Sequence, residues 1–65
     1  MTVGETELQM QVRHVAEQEG RIARQEVLIE RLEKRGAPTD AALELLGQMQ
    51  DLLEIMRAHL ARISN

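Results

Sequence analysis

The sequence predicts an all-α chain, an antiparallel helical hairpin, and three observations predict it. A single break, Gly36-Ala37-Pro38-Thr39-Asp40, interrupts 65 residues that otherwise contain no proline. Before it, Leu8, Val15, Ile22 and Ile29 recur every seven residues and Leu32 completes the last heptad, which is the seam of a coiled coil. After it, Ala42, Leu45, Leu46, Met49, Leu52, Leu53, Met56, Leu60 and Ile63 cover an arc of roughly 120° at about 100° per residue, a wider apolar face.

The first helix is expected from about Glu5 to Arg35. Lys34 and Arg35 stand in its last turn, where cations oppose the helix dipole, and Gly36 follows as the residue that ends it. Residues 36–39 form the turn, because Pro38 disfavours helical geometry at Ala37. Thr39 or Asp40 then caps a second helix over about 40–63, whose last turns carry Arg57, His59 and Arg62. So short a connection folds the arms back on each other as one hairpin domain spanning residues 1–65. Each arm should be ~35–45 Å long at 1.5 Å per residue, and a strict heptad seam implies a left-handed supercoil.

The remaining seam positions of helix 1 are Gln11, Gln18 and Gln25, which weaken a coiled coil but can specify its register by needing partners. Turning the chain near Ala37 and Pro38 sets Ile29 against Leu46, Ile22 against Leu53 and Val15 against Leu60, with Leu32 near Ala42 or Leu43. The same register puts Gln25 against Met49 and Gln18 against Met56. A narrow seam interrupted by glutamine leaves part of the Leu45, Leu52, Leu53 and Leu60 surface wet in a lone hairpin. A second copy would cover it, so the expected assembly is a homodimeric four-helix bundle with helix 2 innermost.

Size argues the same way. A chain of 7.4 kDa buries only about 60% of the surface it exposes when unfolded, and one core of that size rarely supplies more than ~3–5 kcal/mol. There is no cysteine for disulfides or thiolate metal sites, and two histidines are too few for a structural zinc within one chain. Self-association is the remaining supplement. A net charge of −3 and the absence of Phe, Tyr and Trp argue against nucleic-acid and membrane partners, since neither a basic field nor a stacking platform is present. Met1-Thr2-Val3-Gly4-Glu5 has no basic or apolar leader pattern, so the expected location is the cytoplasm.

The charges of helix 1 are sorted. Glu19, Glu26 and Glu33 lie on one flank with Glu30 beside them; Arg21 and Arg35 lie on the other, with Arg24 and Arg31 close by. These arginines are the expected partner-facing residues, through an edge code that selects a neighbour. The plainer reading is two solvated faces with local Glu17–Arg21 and Glu30–Lys34 support, worth ~0.2–0.5 kcal/mol each. His14 and His59 are close enough in register to approach each other at the open end of the hairpin, with Glu17 one turn from His14, but the order His14-x-x-Glu17 is the reverse of the Glu-x-x-His pairs of carboxylate-bridged metal bundles. Met49 and Met56 read as core filler rather than a soft-metal box. Gly20 and Gly47 fall at outward positions, where each costs ~1 kcal/mol against Ala and can mark the approach of another backbone. The hydroxyls Thr2, Thr6, Thr39 and Ser64 sit at caps and termini with no base to activate them, so neither an enzyme nor a cofactor is expected.

His14-Val15-Ala16-Glu17, Arg21-Ile22-Ala23-Arg24-Gln25, Leu28-Ile29-Glu30-Arg31-Leu32, the glycine turn, and Leu45-Leu46 through Arg57-Ala58-His59-Leu60 together resemble short bacterial helical-hairpin proteins of unknown function. That resemblance covers nearly the whole chain and implies a hairpin fold in a bacterial cytoplasm, with no activity to transfer. A looser similarity is to the hairpin aspartyl-phosphate phosphatases of the sporulation phosphorelay. Their Ser-x-x-Leu-Asp signature is replaced here by Leu46-Gly47-Gln48-Met49-Gln50. The expected function is a non-enzymatic oligomerisation and protein-interaction module with Ile22, Ile29, Leu32, Leu45, Leu46, Met49, Leu52, Leu53, Met56 and Leu60 in its core or interface. The alternative is a regulator of phosphoryl transfer that binds a receiver domain or kinase.

Overall fold

The computed structural model describes residues 6–64 as two helices, α1 (Glu7–Lys34) and α2 (Asp40–Ser64), packed against each other as an antiparallel hairpin. At 1.5 Å per residue the arms are ~42 and ~37 Å long. The molecule measures 48 × 24 × 13 Å, two helices wide and one helix thick.

The start of α1 is set by a capping box. The Gln9 N–H donates to the Thr6 hydroxyl at 3.1 Å, and the Thr6 N–H donates to Gln9 Oε1 at 2.9 Å. Two N–H groups that no helical carbonyl can reach are thereby paired, which makes Thr6 the cap and Glu7 the first helical residue. The sequence pattern alone suggested a start near Glu5, which lies outside the described residues. At the other end Ala37 N–H donates to the Leu32 carbonyl at 2.9 Å and Gly36 N–H to the Glu33 carbonyl at 3.0 Å. This is a Schellman closure, with Arg35 as the cap and Gly36 at φ 69, a left-handed conformation that glycine adopts without a Cβ penalty. The helix therefore ends at Lys34, one residue before the expected Arg35. α2 opens where the Thr39 carbonyl accepts from the Leu43 N–H at 2.8 Å, and Asp40 places an acid in the first turn. It runs to Ser64, whose hydroxyl donates back to the Ala61 carbonyl at 3.3 Å.

The packing stripe of α1 is its heptad seam. Val15, Ile22 and Ile29 are buried, and so are Gln18 and Gln25. On α2 the facing stripe is Ala42, Leu46, Met49, Leu53, Met56, Leu60 and Ile63, spaced alternately by four and three residues, and every member is only half-buried. No described side chain is completely enclosed, and none on α2 is buried. The physical reason is the single layer: two cylinders touch along one line, so the flanks of each contact stripe face water. Leu45 and Leu52, which the apolar arc of helix 2 includes, lie beyond that stripe and remain 46% and 47% exposed.

The two buried glutamines find partners other than those the register suggested. Gln18 Nε2 donates to the Met49 carbonyl and Gln25 Nε2 to the Ala42 carbonyl, each at 2.9 Å. Both acceptors lie one heptad before the residues expected opposite, Met56 and Met49. A helical carbonyl points toward the helix C-terminus, so an amide bonded to Met49 sits level with residues beyond it, and part of the offset is this projection. No buried side-chain nitrogen or oxygen among the described residues lacks a partner, as the cost of an orphaned polar group requires.

Candidate interaction surfaces

One broad face of the hairpin carries an open groove between the helices, lined by Gln18, Arg21, Leu45, Gln48, Met49 and Leu52. Arg21 and Gln18 project from one edge of the α1 stripe. Leu45 and Leu52, seven residues apart, form the matching edge of α2, with His59 one heptad farther on. The groove thus has an apolar wall on α2 and a polar wall on α1. Leu28, one heptad beyond Arg21 and 45% exposed, extends apolar character toward the outside of α1.

The opposite broad face is ionic. There Arg57 on α2 donates to Glu19 on α1, whereas on the groove side, one heptad beyond Leu52, His59 Nε2 lies 3.7 Å from Glu7 Oε1, an ion pair when the imidazole is protonated. Along α1, Lys34 meets Glu30 at 3.4 Å and Arg13 meets Glu17 at 3.9 Å. Glu17 therefore pairs toward the N-terminus with Arg13 rather than with Arg21, as the spacing had suggested. All these groups but the half-buried His59 are well exposed, and such pairs are typically worth 0–1 kcal/mol, so they bias the arrangement of the arms rather than hold them together.

A second groove lies on the outside of α1, lined by Ala23, Arg24, Val27, Leu28 and Arg31. Val27 and Leu28 are 49% and 45% exposed and belong to no seam. The heptad reading passed over them, although large apolar residues on the outward side of a helix are a recognisable signal of a further contact. Ile55 on the outer side of α2 is another such residue, at 65%.

The expected core and interface residues divide into three groups. Ile22 and Ile29 are buried; Leu32, Leu46, Met49, Leu53, Met56 and Leu60 are half-buried between the helices; Leu45 and Leu52 are exposed beside the groove. Arg21, Arg24, Arg31 and Arg35 are all exposed. His14 is half-buried, and among the described residues no three His, Asp or Glu side chains gather as a metal site would need. No helix among them is long and apolar enough to cross a membrane. Comparison with known protein families, curated proteins and solved structures finds no match to this chain.

Proposed function

We propose that the chain is a non-enzymatic self-association and protein-interaction module, in which two hairpins pair through the broad face that carries Leu45 and Leu52 to form a four-helix bundle. One observation carries this reading: α2 has no buried residue, while Leu45 and Leu52 stand about half exposed in a row beside an open groove. A second layer of two helices supplies what a single layer lacks, neighbours on a second side of each contact stripe. Covering the remaining half of a leucine contributes on the order of 1 kcal/mol, since complete burial is worth about 1.5–3 kcal/mol. An isologous pairing counts every such residue twice. The setting in this reading is the bacterial cytoplasm, on the resemblance to short bacterial hairpin proteins.

Sedimentation equilibrium at micromolar concentration tests it. The parent should show at least twice the 7.4 kDa chain mass, and Leu45→Gln with Leu52→Gln should return it toward one chain. A parent that sediments as a single chain and still unfolds cooperatively contradicts the bundle.

A further inference from the structure

In the half of the hairpin nearer the turn the outward charges are separated by helix, while toward the open end Glu17 joins the outer side of α1 and Arg62 the outer side of α2. At about 100° per residue, Arg24, Arg31 and Arg35 fall on the side of α1 turned away from α2, and Arg24 and Arg31 border the outer groove with Ala23, Val27 and Leu28. The corresponding outer side of α2 carries Asp40, Glu44, Asp51 and Glu54, with Ile55 beside them. All of these side chains are exposed. Among the described residues none of these arginines and none of these carboxylates forms an ion pair within the hairpin.

The two patches also match in height. Arg35 and Asp40, Arg31 and Glu44, and Arg24 and Asp51 lie at equal chain distances on either side of the Ala37–Pro38 bond. The hairpin itself shows what that symmetry means. Glu19 and Arg57, equally spaced about Pro38, meet across the two antiparallel helices. An identical hairpin set alongside, with its turn at the same end, presents its α2 antiparallel to α1 of the first. By the same rule each of the three arginines faces a carboxylate, while toward the open end Arg13 faces Arg62, so the attraction is confined to the half nearer the turn. Ile55 and Gly20 are likewise equidistant from the Ala37–Pro38 bond. Gly20 has no side chain, and a Cβ placed there would meet only the end of the Arg24 side chain, at 3.6 Å. The most exposed apolar side chain of α2 therefore finds a recess at the same height.

We infer that the outer face of α1 docks the outer face of α2 of a second copy, held by Arg24–Asp51, Arg31–Glu44 and Arg35–Asp40. Two different surfaces meet, so the contact is head-to-tail: every copy keeps one basic and one acidic patch near its turn, and the arrangement propagates into a ring or a row. It deepens the self-association reading but uses faces separate from the Leu45 and Leu52 groove. Its chemistry separates the two as well. Exposed ion pairs are screened by salt, with a Debye length of about 30 Å at 0.01 M and about 3 Å at 1 M, whereas apolar burial does not weaken with added salt.

The test is sedimentation equilibrium of the whole chain at roughly 20 mM and roughly 500 mM salt, chosen to fall on either side of the screening range. At low salt the average mass should be at least about twofold above the high-salt value. Arg24→Glu with Arg31→Glu gives a chain acidic on both outer faces, and Glu44→Arg with Asp51→Arg gives one basic on both. Each should lose the low-salt increase while keeping its helical circular dichroism, and an equimolar mixture of the two should recover it. Equal masses at both salts, variants that keep the increase, or helical variants whose mixture stays unassembled would each overturn the head-to-tail contact. The high-salt mass reports the Leu45 and Leu52 pairing independently, so either interface can fail without the other.

Discussion

The side-chain amide of Gln18 donates to the backbone carbonyl of Met49 at 2.9 Å, across the hairpin and nearly out of reach of solvent. One heptad away Gln25 repeats the bond on Ala42, seven residues before Met49. These carbonyls already accept a bond within α2, and each has a second lone pair to offer. The glutamines are therefore donors that must be paired, facing acceptors that need no pairing. Replacing both by leucine removes the demand without orphaning a carbonyl and adds apolar burial along the seam. Gln18→Leu with Gln25→Leu should raise the melting temperature while broadening the distribution of assembled species, because heptad-spaced leucines pack at more than one register. Thermal melting followed by circular dichroism, with masses from sedimentation, decides the matter; a lower melting temperature and a single species would mean that the two bonds outweigh the burial.

Gln18→Glu is the sharper probe of the same bond. The new carboxylate is nearly isosteric but donates nothing when ionised, and it would face the Met49 carbonyl at a position only 3% exposed. Desolvating an unpaired charge against an acceptor dipole should cost at least ~2 kcal/mol. Urea denaturation of the variant at neutral pH should show this as a lowered midpoint. An unchanged midpoint would mean that the glutamine contributes through its methylenes alone.

Ile22 and Leu53 were expected to face each other in the core, yet Ile22 is buried and Leu53 only half-buried. In the hairpin alone, Ile22→Ala should cost ~2–4 kcal/mol and Leu53→Ala less, because part of the leucine is already wet. A second hairpin covering α2 would bring the two costs together. Leu53→Ala should then destabilise more strongly as protein concentration rises, since association stabilises the parent by mass action. Melting curves of parent and variant over a hundredfold range of concentration give the comparison, and a difference independent of concentration would place Leu53 outside any interface.

Much of the fold was legible because its determinants are local. Gly36-Ala37-Pro38 ends one helix and starts another through backbone conformation alone, and the seven-residue spacing of Val15, Ile22 and Ile29 marks one face without reference to anything distant. The capping box was less visible, since Thr6-x-x-Gln9 is a weaker signature than the glutamate form and sits beside an equally helix-compatible Glu5. The partners of Gln18 and Gln25 were out of reach, because whether a carbonyl of α2 lies within 3 Å of an amide depends on axial register and on the direction of the carbonyl, neither of which side-chain periodicity encodes. For the candidate surfaces, the wet flank of α2 followed from comparing two apolar arcs. The segregation of Arg24, Arg31 and Arg35 from Asp40, Glu44 and Asp51 emerged only once the inward faces were known, because outward charges acquire meaning from what the inward residues leave behind.

Gly36 occupies φ 69, and the Schellman bonds at Ala37 and at Gly36 itself both depend on that conformation. Space is not the constraint there, since a Cβ would meet nothing within 4 Å; the backbone angle is. Gly36→Ala should therefore lower stability by about 1 kcal/mol, the cost of holding an L-residue in the left-handed region. Gly47 is the opposite case. It lies inside α2 with right-handed dihedrals and open space where a Cβ would stand, so Gly47→Ala should raise stability by about 1 kcal/mol through helix propensity and a less flexible unfolded chain. Both substitutions add the same methyl group, so hydrophobicity cancels in the comparison and the difference in melting temperature isolates backbone conformation. Opposite shifts of comparable size are expected in thermal melts of the two variants. A destabilised Gly47→Ala protein would show that another backbone approaches α2 at that point, which places a contact on the outer face that the isolated hairpin does not contain.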